Sequence, residues 1–112
     1  MLDTLSVEER ERTIIYYDEQ EIPRGSKIRL GHSDIEVPWN ATVVFIDLRP
    51  GANWGHECRY ILINNKSKEI KTIPADMPPF LKEVPPTLHL LWLGIKAPRW
   101  AVMCNSTILP GK

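Results

Sequence analysis

Two apolar runs and the connector between them decide the fold: Thr42-Val43-Val44-Phe45-Ile46, then Asp47-Leu48-Arg49-Pro50-Gly51-Ala52-Asn53-Trp54-Gly55-His56-Glu57-Cys58, then Tyr60-Ile61-Leu62-Ile63. Residues 42–46 and 60–63 are apolar on both alternating faces, the pattern of strands buried on two sides. The connector gathers one His, one Cys, one Trp and several acidic or amide side chains, the densest chemistry in the chain.

Outward from this centre, further strand signals recur about every ten residues. Thr13-Ile14-Ile15-Tyr16-Tyr17 is β-branched and aromatic, and Lys27-Ile28-Arg29-Leu30 alternates and with the Ile35, Val37 run reads as a short hairpin or an edge strand broken by a turn. Asn64-Asn65-Lys66-Ser67 makes a hairpin turn, in which asparagine tolerates positive φ. The return strand 68–73 carries enough charge to serve as a sheet edge. Thr87–Ile95 predicts a third core strand and Trp100–Cys104 a fourth, with Trp92 and Trp100 inside the core. At the N-terminus, Ser6-Val7-Glu8-Glu9 fits a capping box and predicts a short helix from Val7 to about Arg12, or a frayed arm over 1–12. The expected architecture is an all-β single domain over 1–112, its β part spanning 13–109. It would be a small antiparallel sandwich or partly open barrel of about seven strands.

Composition narrows the function classes. With 14 basic and 14 acidic residues the formal net charge is zero, without the basic excess of a duplex nucleic-acid binder. No apolar run of about 18 residues exists to span a bilayer, and the first ten residues lack the basic and apolar regions of an export signal. Together with only two cysteines this places the expected location in the cytoplasm, with Cys58 and Cys104 reduced. The Asn-X-Ser/Thr sites at Asn40, Asn65 and Asn105 matter only in a secreted chain. The 10 prolines argue against long helices, and Pro74–Pro86, which holds five of them, reads as a Pro-bracketed loop that leaves room for a homodimer contact.

Three chemistries compete for the connector. The first is recognition: Trp54 as an aromatic anchor, Arg49 and Asn53 as polar contacts, His56 as a pH-sensitive contributor and Trp39 from a nearby turn. For Trp39 and Trp54, capping the open ends of a sandwich is the commoner role in a small β domain. The second is hydrolase-type catalysis, with Cys58 or Cys104 as nucleophile, His56 or His89 as base and Asp47 or Asn53 orienting the imidazole; Cys58, His56 and Asp47 are the set gathered in the connector. Free cysteine is more commonly buried and inert, and no local cysteine-protease signature is present. The third is a zinc or copper site from His56, Cys58, His89 and Cys104, with Met103 as a weak copper ligand, although the spacing matches no compact zinc motif. The pattern favours the first: a small non-enzymatic binding or interaction module for a protein or small-molecule partner, with no cofactor.

Overall fold

The computed structural model describes residues 5–30, 33–52, 55–77 and 86–103. One short helix and seven strands follow in order: α1 (Val7–Arg12), β1 (Ile14–Asp18), β2 (Lys27–Leu30), β3 (Ser33–Glu36), β4 (Ala41–Asp47), β5 (Cys58–Asn64), β6 (Ile70–Ala75) and β7 (Leu88–Leu93). Five of the strands form one antiparallel sheet in the order β6-β5-β4-β1-β7, and β2 and β3 form a separate two-stranded sheet. Strands β6 and β7 are the edges of the larger sheet, which therefore does not close into a barrel. The all-β reading of the sequence holds, and it takes the form of an open sheet with a small second layer.

The doubly apolar runs occupy the middle of that sheet because both of its faces are covered. Phe45, Tyr60, Leu62, Ile14 and Tyr16 point to one face, where Ile28 and Ile35 of the β2–β3 hairpin pack against them. Ile15, Val44, Ile46 and Ile61 alternate to the other face, with Leu5 and the half-buried Trp92. The rings of Tyr16 and Tyr60 flank that of Phe45 at 5.9 and 5.1 Å, so three adjacent strands share an aromatic row. Pairing of β1 with β7 skips Leu91, a bulge that turns this side chain outward while Leu90 and Trp92 keep their opposite faces.

Helix α1 forms where the capping pattern places it. Ser6 Oγ accepts from the Glu9 amide at 3.1 Å and Glu9 Oε1 accepts from the Ser6 amide at 3.0 Å. No helix residue is buried, and polar contacts hold the helix to the sheet. The Trp92 indole donates to the Arg10 carbonyl at 2.8 Å, and the Lys96 and Gly94 amides donate to the carbonyls of Glu11 and Thr13 at 2.7 and 2.9 Å. The approach is close enough to require glycine at 94: a Cβ there would lie 2.3 Å from the Glu11 carbonyl oxygen.

Three local expectations need correction. The strand expected over Trp100–Cys104 gives way to a 3-10 turn at Arg99–Ala101, and Trp100 is 77% exposed instead of lying in the core. Pro98 starts that turn, and the backbone donors that a ladder would use go elsewhere. Those of Ala101 and Val102 bond to Pro98 and Arg99, and that of Met103 to the Tyr16 hydroxyl. Pro74 opens no loop but sits inside β6, facing Arg59 in the register, where an edge strand needs no outward N–H. In the hairpin after β5 the positive φ falls on Lys68, while Asn64 Oδ1 accepts from the amides of Lys66 and Ser67. Cys104 and residues 78–85 lie outside the described residues.

Candidate functional site

Strands β4 and β5 end side by side, with Asp47 facing Cys58 in the register, and the connector leaves and returns through this pair. Asp47 points to the same face as Phe45, so its carboxylate is carried inside, where it is 2% exposed. One oxygen, Oδ1, does double service. It lies 2.7 Å from His56 Nε2 and accepts from the Arg49 amide at 3.1 Å, bracing both ends of the connector. Between them Gly51 and Gly55 take positive φ, which glycine adopts without a Cβ penalty. The Ala52 amide closes a turn onto the Arg49 carbonyl at 3.1 Å, and the Gly55 amide ties the connector to the Asp76 carbonyl beyond β6.

Burial governs the chemistry here. Desolvation raises the Asp47 carboxyl above its ordinary value, against the lowering effects of the His56 bond and charge and of the Arg49 amide. The Cys58 thiol is fully buried and donates to the Met77 carbonyl at 3.5 Å, and the Tyr60 hydroxyl donates to the same oxygen at 2.7 Å. Desolvation, with the carboxylates of Asp47, Asp76 and Glu57 adding to it, pushes that thiol up to about 12. A thiolate is thereby disfavoured in the fold. In a Cys104→Ser variant, Cys58 is expected to resist a chromogenic thiol reagent at pH 8 until the protein is denatured, then to react in full. Fast labelling of the folded variant would contradict this. Because folding raises this pKa, the contribution of the thiol to stability is complete below pH 9 and is lost as the pH climbs from there towards 12.

Among the described residues, two depressions flank the connector. A cleft of about 170 Å³ has the Asp47–His56 pair in its wall, with Gly51, Ala52, Trp100 and Met103 around it. Trp100 lies against the connector: a Cβ on Gly51 would come within 2.8 Å of its ring. A larger groove of about 610 Å³ lies alongside, lined by Arg12 and Glu9 of α1, Arg49 and Glu57 of the connector, and Lys96 and Pro98. Sequence reasoning missed Trp100, Arg12 and Lys96. The Ala97-Pro98-Arg99 turn signal just before Trp100 was the clue that this tryptophan sits on a loop.

The expected site residues separate into groups. Asp47, His56 and Cys58 come together at the strand ends, and Arg49 stands exposed beside them. Asn53 and Trp54 lie outside the described residues. Trp39 is not with them: it precedes β4 whereas the connector follows it, a strand length of roughly 20 Å away. There it packs half-buried against the core, and its indole nitrogen has no hydrogen-bond partner among the described residues. His89 lies on β7 beside Tyr17 and pairs with Glu19. The register places it about 14 Å across the sheet from Cys58 and at the other end of its strand, so the expected metal ligands His56, Cys58 and His89 do not converge. Among the described residues no group of three or more His, Cys, Asp or Glu is arranged to hold a metal ion. No described helix is long and apolar enough to cross a membrane.

Comparison with known protein families, with curated proteins and with solved structures finds no match.

Proposed function

We propose that the protein is a small binding module whose contact surface is the connector between β4 and β5 together with the Arg99–Ala101 turn. The observation that carries this is Trp100: a large apolar ring, 77% exposed, seated on Gly51 at the rim of a cleft whose wall is the Asp47–His56 pair. Leaving an indole in water forgoes about 1.5–3 kcal/mol of burial, and aromatic residues so placed are the usual anchors of recognition surfaces. The ring has little freedom to lose on binding, because the turn and the glycine seat orient it beforehand. The cysteine-hydrolase alternative built on Cys58 is less well supported, since that thiol is buried against the Met77 carbonyl with its ionisation opposed. The metal alternative lacks a converging ligand set among the described residues.

An NMR screen with small aromatic carboxylates, amines and phenols tests the surface directly, whatever the natural partner. Shifts are expected to gather at Ala52, His56 and Trp100, and to vanish in Trp100→Ala. That variant should melt within about 3 °C of the parent, because an exposed side chain contributes about 0.5 kcal/mol or less. Hits elsewhere on the domain, or a Trp100→Ala variant that loses stability and keeps its hits, would overturn the assignment.

A further inference from the structure

The two depressions differ in character, and the difference specifies a ligand. The cleft of about 170 Å³ is similar in volume to the roughly 150 Å³ cavity that accepts benzene, so it has room for one aromatic ring. Its lining supplies Trp100 and Met103 for the body of that ring. The groove of about 610 Å³ is charged instead, with Arg12, Arg49 and Lys96 set against Glu9 and Glu57. Glu9 already serves the Ser6 amide and lies 3.7 Å from Arg59, and Lys96 lies 3.2 Å from Glu11. Setting those pairs aside, the groove presents two guanidinium groups and the Glu57 carboxylate, a local positive excess in a chain of zero net charge. The connector and the later turn each contribute to both depressions, Pro50 and Pro98 lining the groove and Gly51 and Trp100 the cleft.

We infer that the surface takes a short acidic segment of a partner protein carrying one aromatic side chain, the ring entering the cleft against Trp100 and the neighbouring carboxylates facing Arg49 and Arg12. This rests on the binding surface proposed above and adds the chemistry of its ligand. Arginine suits the role because its planar fork matches a carboxylate in two hydrogen bonds. Attraction at an exposed rim of this kind weakens as salt rises.

The test is an NMR titration of the whole chain with three blocked pentapeptides: Glu-Glu-Phe-Glu-Glu, Lys-Lys-Phe-Lys-Lys and Glu-Glu-Ala-Glu-Glu. The acidic aromatic peptide is expected to move the Gly51 and Ala52 amides and the Trp100 indole, and to bind more weakly as salt is raised. Replacing its Phe by Ala, or making Arg49→Glu or Arg12→Glu in the protein, should weaken it about fivefold or more, the scale of one exposed ion pair or better. Neither arginine is buried, and an unchanged amide spectrum would show that each variant folds. Equal binding of the lysine peptide, or no movement with the acidic one while aromatic fragments still occupy the cleft, would overturn the acidic-peptide assignment and leave the surface standing. Failure of peptides and fragments alike would remove both.

Discussion

Replacing His56 by alanine is expected to cost about 3–5 kcal/mol of stability at neutral pH, because it leaves a buried carboxylate with the Arg49 amide but without its side-chain partner. Asp47 is 2% exposed, and the imidazole nitrogen 2.7 Å away is the charge-assisted contact that offsets its burial. The effect should depend on pH in a definite direction. Desolvation already holds the Asp47 carboxyl above its ordinary value of 3.8, and His56 is the main influence lowering it. Without His56 the carboxyl rises further. A raised folded-state pKa means a contribution that is complete below the unfolded value and lost as pH rises through the folded one. The variant should therefore approach the parent in stability near pH 4 and fall behind it as the pH rises. Denaturant melts of both proteins across that range check this. A deficit below about 1 kcal/mol, or one independent of pH, would show that the pair braces nothing.

Phe45→Ala is expected to be as severe, about 3–5 kcal/mol. Phe45 is 1% exposed and its ring stands between Tyr16 and Tyr60 across three adjacent strands. Truncation leaves a cavity that the tyrosines cannot readily fill, because both hydroxyls are engaged: that of Tyr60 donates to the Met77 carbonyl and that of Tyr16 accepts from the Met103 amide. A domain of this size has about 5–15 kcal/mol in all, so the melting temperature should fall by more than about 10 °C. Calorimetry measures this, and a fall of only a few degrees would mean that the aromatic row is not the centre of the core.

The framework was legible in the sequence where one physical requirement dominated. Residues 42–46 and 60–63 could be placed because a strand apolar on both faces has to be internal, and β4 and β5 lie beside each other within the sheet. Ser6 and Glu9 located the helix because reciprocal capping is a local event. Errors came where two requirements competed. Pro74 usually ends a strand, but an edge strand tolerates it, and edge status depends on a strand order that no local pattern encodes. Trp100 sits in an apolar run, yet Pro98 diverts the backbone into a turn before pairing begins. At the candidate site, the meeting of Asp47 with His56 could be anticipated from their places at the ends of one connector. The Met77 carbonyl that takes the hydrogens of Cys58 and Tyr60 could not, because it depends on how the chain leaves β6. The same holds for Trp39, whose position at the far end of β4 follows from strand direction and not from its distance along the chain.

The most direct test of a pre-formed recognition surface is the proximity of Trp100 to the connector in the free protein. Nuclear Overhauser contacts between the far edge of the Trp100 ring and the α-protons of Gly51 should be strong, as expected of a ring that a Cβ on Gly51 would meet at 2.8 Å. Their absence, with the indole showing only the averaged signals of a freely turning side chain, would contradict the pre-formed surface outright.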